Sequence, residues 1–172
     1  VKTRFVSGGQ QLLRMDEEDG GATAESVQKL LSAAIDTALT ACGAVLLSDY
    51  GKGVLSATQA TDVLPRIIAA ANAAGKPVVI DPKGSDYTRY RGAGLLTPNR
   101  NELREATRMP VDGNDAIVAA ARHLIDSCGV GAVLVTRGPD GMTLVAGAAE
   151  PVHLPALARE VFDVSGAGDT VV

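Results

Sequence analysis

Near the carboxyl end, the run Asp163-Val164-Ser165-Gly166-Ala167-Gly168-Asp169-Thr170 sets two glycines and a carboxylate where a helix is expected to begin. The amides of Gly166, Ala167 and Gly168 would then converge under the positive end of the helix dipole and make an anion hole. A carboxylate beside such a hole, here Asp169, can take the proton of a hydroxyl as a phosphoryl group transfers to it. The plainer readings are an N-cap aspartate or half of a dinucleotide fingerprint. No third glycine completes G-x-G-x-x-G, and no Walker A sequence is present.

Four further polar clusters each follow an apolar run: Ser48-Asp49-Tyr50-Gly51-Lys52-Gly53, Asp81-Pro82-Lys83-Gly84, Thr97-Pro98-Asn99-Arg100-Asn101-Glu102, and Thr136-Arg137-Gly138-Pro139-Asp140-Gly141. Any one of them reads as an ordinary turn, since Gly, Pro, Asp and Asn punctuate loops. Together, each with a charged group, they point to a site for an anionic ligand with a cation, where glycines let backbone N–H groups approach phosphate oxygens.

The elements that must position these clusters alternate. Apolar periodicity predicts a helix over about 24–41 with Val27, Leu30, Leu31, Ile35 and Leu39 on one face, and further helices over 56–74, from Asn99 toward Arg108, and from Asn114 or Asp115 to Ser127. Strands are predicted at 44–48, 77–81, 94–97 and 132–136, with edge hairpin strands at 142–145 and 152–155 around Gly147. Strands separated by helices imply a mainly parallel sheet with right-handed crossovers, whose ligands sit at the carboxyl ends of the strands. The opening residues alternate differently: 1–6 and 11–16 read as a half-exposed antiparallel pair turning at Ser7-Gly8-Gly9, and the acidic run from Asp16 to Asp19 reads as a linker.

With 172 residues, 46% of them hydrophobic, and a mean hydropathy of +0.14, the chain can bury a core as one α/β domain or a large piece of one. A net charge of -4, with no basic cluster interleaved with aromatics, argues against a nucleic-acid partner. No apolar run reaches the length of a membrane span and no signal peptide opens the chain, so no membrane partner is expected. Cys42 and Cys128 have no His or Cys at metal spacing and read as buried free thiols, which suits the cytoplasm. His123 and His153 show no partner pattern and receive no role. The chain opens on Val1 in a strand and stops at Val172 in the first turn of a helix, so both ends are expected to be cut.

The motif from Asp163 to Asp169 matches D-x-x-G-A-G-D, and in this the sequence resembles the ribokinase (PfkB) family of carbohydrate kinases. Asn99-Arg100-Asn101-Glu102 matches the family's N-x-x-E, and Thr136-Arg137-Gly138 with Gly141 its nucleotide loop. Within the family the likeness is to kinases that phosphorylate the anomeric hydroxyl of D-glycero-β-D-manno-heptose 7-phosphate for lipopolysaccharide-core sugars. It runs through Lys2-Thr3-Arg4, Gln10 to Asp16, Ser48 to Gly53, Ile80 to Gly84, Tyr90 to Ala93, Leu96 to Asn99 and Leu134 to Arg137. Ser165 departs from the threonine of many relatives, a mild change because either hydroxyl can cap the turn.

The resemblance implies a ribokinase-like three-layer α/β fold with a mainly parallel sheet and part of a small β lid, with residues 1–20 as lid and linker and 21–172 as an incomplete core. It implies ATP and Mg²⁺ as cofactors and a small sugar phosphate as substrate. Asp169 would be the catalytic base, and the amides of Gly166, Ala167 and Gly168 the anion hole. Asn99, Arg100, Asn101, Glu102, Thr136 and Gly138 would line the ATP site, with Glu102 and Asp81 on the metal through water. Asn99 and Glu102 read equally as the cap and first turn of a helix.

Lys2, Arg4 and Arg14 would face the sugar phosphate from the lid or stand solvated on its strands, and Asp49 is a further candidate on the sugar side. Lys52 and Lys83 would contact an anion or stand solvated, and Arg137 would bind phosphate or pair with Asp140. A homodimer through the lid is implied. With three residues after Asp169, this stretch alone is expected to be inactive. Other readings are a kinase for another sugar or nucleoside, or an inactive regulator that kept the fold.

Overall fold

The structure is a computed structural model that describes residues 2–7, 10–17, 24–55 and 63–156; the motif from Asp163 to Asp169, with the base and anion-hole positions, lies outside the described residues. Two sheets are present. The first is a ribbon of β1 (Lys2–Ser7) and β2 (Gln10–Asp16), antiparallel, with Lys2 opposite Asp16, Arg4 opposite Arg14 and a register shift between Phe5 and Val6. Because cross-strand partners share a face and neighbours alternate, Lys2, Arg4, Arg14 and Asp16 lie on one face and Thr3, Phe5, Leu13 and Met15 on the other.

The second sheet has six strands in the order β3 (Val45–Ser48), β4 (Val78–Asp81), β5 (Leu95–Leu96), β6 (Ala132–Thr136), β7 (Met142–Ala146) and β8 (Val152–Leu154). The first four run parallel and the last three are joined antiparallel. The connections between the parallel strands carry α2 (Val63–Ala73) and the pair α3 (Arg100–Thr107) and α4 (Asn114–Cys128), while α1 (Glu25–Leu39) precedes β3. A predominantly parallel sheet clad by helices is the architecture that the alternating pattern predicts. It puts the ends of β3, β4, β5 and β6 on one edge.

The core lies between the sheet and the helices, with Leu64, Ile68, Ile80, Leu96, Leu103, Ile117, Val133, Val135 and Val145 buried. Each such aliphatic side chain contributes about 1.5–3 kcal/mol on burial. Tyr87 and Tyr90 join it edge-to-face, ring centres 5.4 Å apart at 71°. At the strand entrances backbones approach closely: a side chain on Gly131 would set its Cβ 2.8 Å from the carbonyl oxygen of Gly94. Cys42 is half-buried, Cys128 buried, and both are free thiols. No helix among the described residues is long and apolar enough to cross a membrane.

One expectation needs correction. The apolar face assigned to α1 from sequence includes Val27 and Leu30, yet these are 49% and 71% exposed. The helix instead packs through Gln28 and Leu39, which are buried, with Leu31 and Ile35 half-buried between them. Asp36 of α1 accepts a hydrogen bond from Arg66 of α2 at 2.7 Å, an exposed pair at the rim of this contact.

Candidate active site

The four loops at the carboxyl edge are laced to one another by their own polar side chains. In the loop after β3, Asp49 is almost wholly buried; its Oδ1 accepts the Gly51 N–H at 2.8 Å, and Arg89 stands 3.5 Å from Oδ2. Oδ2 also accepts the Tyr90 hydroxyl at 2.8 Å, and the same phenol oxygen accepts the Lys83 N–H at 3.0 Å, tying the first loop to the second. Burial pushes the Tyr90 phenol well above its ordinary range, the Asp49 carboxylate pushes the same way, and the Lys83 N–H opposes them. Tyr87 is displaced likewise, chiefly by burial and next by the charge of Glu102.

The second loop is tied to the third through Lys83, whose Nζ lies 3.1 Å from Glu102 Oε1. At the start of α3, Asn99 Oδ1 accepts the N–H groups of Asn101 at 2.9 Å and Glu102 at 3.0 Å, while Glu102 Oε2 accepts the Asn99 N–H at 3.0 Å. This is a complete capping box. Both oxygens of Glu102 are therefore engaged by the protein. Asp81, closing β4, is half-buried, its Oδ1 3.5 Å from the Thr97 hydroxyl.

The third loop meets the fourth twice. Thr136 donates its N–H to the Pro98 carbonyl at 3.0 Å, and Arg100 donates to the Asp140 carboxylate and to the Arg137 carbonyl. The Arg100 guanidinium holds the Asp140 carboxyl below the usual carboxylate range. The direct ion pair of Asp140 is therefore with Arg100, and Arg137 acts on that carboxylate through its charge at longer range. Its Nη1 donates instead to the Thr143 hydroxyl at 2.9 Å, and the Nε–H groups of both Arg100 and Arg137 are buried without a partner among the described residues. Gly138 opens a short 3-10 turn with a φ of 62°, which glycine adopts without strain.

Beside this edge lies a cleft of about 740 Å³ with an apolar floor of Leu46, Leu47, Val54 and Leu55, to which Ser48, Asp49, Tyr50 and Lys52 of the first loop and Lys2 and Glu17 of the ribbon end add polar groups. The charged ribbon face therefore meets the sheet through Lys2, whereas Arg4 and Arg14 do not line the cleft. Arg4 and Arg14 stand directly opposite each other, a like-charge pair that is destabilising unless an anion sits nearby; Asp16, 3.2 Å from Arg14, supplies part of that charge. Sequence reasoning missed the Tyr90 hub, whose partner Asp49 is 41 residues away, and the link from Arg137 to Thr143.

The fold and this edge define a class, and the chain belongs to the pfkB family of carbohydrate kinases, whose family model matches residues 9–172. Over its whole length it is 56% identical to the bifunctional protein HldE of Paramagnetospirillum magneticum and 52% identical to that of Rhodospirillum rubrum, and it spans 34% of the length of each. Among solved structures it is similar to phosphofructokinase-2 from Escherichia coli in complex with potassium, with a TM-score of 0.72 at 23% identity over 94% of this chain and 51% of that one. It is also similar to Arabidopsis thaliana ribokinase complexed with ribose and ATP, with a TM-score of 0.61 at 24% identity over 87% and 44%. These two likenesses show the ribokinase-like fold.

Proposed function

We propose that this chain carries the catalytic part of an ATP-dependent kinase that phosphorylates the anomeric hydroxyl of D-glycero-β-D-manno-heptose 7-phosphate. The observation that carries the reading is the shared cleft: the cationic ribbon face, ending in Lys2, lies against the loop of Asp49 and Lys52 beside four laced loops at the carboxyl edge. Two lysines, Lys2 and Lys52, at one cleft suit a sugar that already bears a phosphate, with Glu17 and Asp49 as the carboxylates beside them. The likeness to bifunctional HldE proteins supports the same substrate class.

In this reading the nucleotide lies along Asn99, Arg100, Asn101, Glu102, Thr136 and Gly138, where the guanidinium groups of Arg100 and Arg137 favour phosphate oxygens. Asp169 accepts the sugar proton and the amides of Gly166 to Gly168 stabilise the charge on the transferring group. The described residues hold no cluster of three or more metal-ligating side chains, but Asp81 and Glu102 offer two carboxylates on one edge. That donor set fits Mg²⁺, which keeps several waters and takes one or two carboxylates beside substrate phosphates. When bound, the ion supplies charge neutralisation to the phosphates.

The apolar ribbon face supports a partner as well. Phe5, Leu13 and Met15 are 48%, 58% and 55% exposed, and a two-stranded ribbon leaves its edges unpaired, so we assign that face to a second copy of the chain. The decisive assay is phosphoryl transfer from ATP with Mg²⁺ to heptose 7-phosphate by the full-length protein and its Asp169→Asn variant. Transfer that collapses in the variant is expected. Transfer to other sugars only would remove the substrate from the reading, and transfer to none would leave a regulator.

A further inference from the structure

Three strands carry a polar line across an otherwise apolar face. Thr143 of β7 is opposite Val135 of β6 and His153 of β8, so Arg137, two residues past Val135, continues the same face. Thr143 has no exposed surface, and its hydroxyl has two neighbours: Arg137 Nη1 and His153 Nδ1, each at 2.9 Å. Valine, buried at 133, 135 and 145 on this face, would fill the position of Thr143 with apolar surface. A buried hydroxyl there needs its hydrogen bonds.

The directions of those bonds follow from the donor inventory. A guanidinium donates and never accepts, so the Thr143 oxygen accepts from Arg137. The threonine proton is then left to donate, and His153 Nδ1 is the acceptor within reach. That requires a neutral imidazole with its hydrogen on Nε2. Protonation of His153 would turn Nδ1 into a donor and leave the Thr143 proton without an acceptor in a buried place.

From this geometry we infer that Thr143 and His153 are positioning residues for Arg137, a brace that aims its guanidinium at the phosphates of the nucleotide and loosens when His153 is protonated. The ligand in this inference rests on the kinase reading above. Arg137 is the first residue past β6, its Nε–H is buried with no partner among the described residues, and Arg100 lies against its carbonyl, so the spare donors belong to a cationic corner. The charged groups facing His153 are Arg137 through Thr143, Asp115 and Arg122 of α4, and Glu150 in the turn before β8.

The test is calorimetric titration of MgATP into the full-length protein at pH 8 and pH 6, in the absence of sugar, for the wild type and three variants. Thr143→Val keeps the shape and removes the brace; it is expected to weaken binding at pH 8 by roughly three- to tenfold. Thr143→Ser, which restores the hydroxyl, is expected to recover it. His153→Asn keeps an acceptor near the Nδ1 position but does not titrate, and is expected to match the wild type at pH 8 and to lose less affinity at pH 6. Acidification weakens MgATP itself in every variant, so the comparison is between variants at one pH. Equal affinity of wild type and Thr143→Val would overturn the brace while leaving the kinase reading intact. Equal pH dependence of wild type and His153→Asn would overturn the role of His153. A wild type that binds no MgATP would sink the kinase reading and the inference together.

Discussion

Asp49 does more in the structure than its place in the sequence reveals. It closes a strand at the cleft, as its position after an apolar run suggests, but it is also the anchor onto which Tyr90, Gly51 and Arg89 fasten two loops. Removing the phenol hydroxyl therefore strips a buried carboxylate of one of its neutral donors. Tyr90→Phe is expected to cost about 1–3 kcal/mol of stability, read as a lowered urea midpoint with an unchanged slope. A midpoint that does not move would show the hydroxyl to be dispensable. The positions of Asp49, Asp81, Asn99 and Arg137 were legible because each lies at or just past the end of an apolar run that forms a strand. Thr143 and His153 were not: their meeting depends on the β7–β8 register, which the residue types alone do not determine.

Among the elements, α3 is the one whose boundaries the sequence states most clearly, because Asn99 and Glu102 are three apart and each satisfies an orphan amide of the other. Asn99→Ala is expected to destabilise the fold by about 1 kcal/mol through the lost cap. Asn99→Asp should recover most of that stability, so a nucleotide-binding defect that persists in the aspartate variant would separate ligand contact from capping. α1 was harder to read, since Val27, Leu30, Leu31, Ile35 and Leu39 form a wide apolar arc of which Val27 and Leu30 stay exposed while Leu39 is buried. The ribbon was legible as a hairpin from alternation alone. Its assignment to a second copy predicts that Leu13→Asp lowers the mass of the full-length protein in light scattering, and an unchanged mass would discard that interface.

At the scale of the whole molecule, the sheet order converts four separated sequence clusters into one edge, and this is why the fold was legible in the alternation of strands and helices. The lacing between the loops has a measurable counterpart in alkali. Tyr90 has a phenol raised by burial, so it stays protonated in the folded state as pH rises past about 10, where an unfolded tyrosine ionises. The folded state accordingly loses stability as pH climbs above that value and loses none through this group below it. The absorbance difference at 295 nm between wild type and Tyr90→Phe should show no step until the protein unfolds; a step near pH 10 with the far-ultraviolet signal intact would contradict the burial. The capping box carries a last consequence, one for lineages of proteins. Asn99 and Glu102 hold α3 in place even when no nucleotide is present, so selection for a stable fold would preserve them in a descendant that had stopped catalysing anything. Their presence in a sequence marks ancestry and foldability before it marks activity.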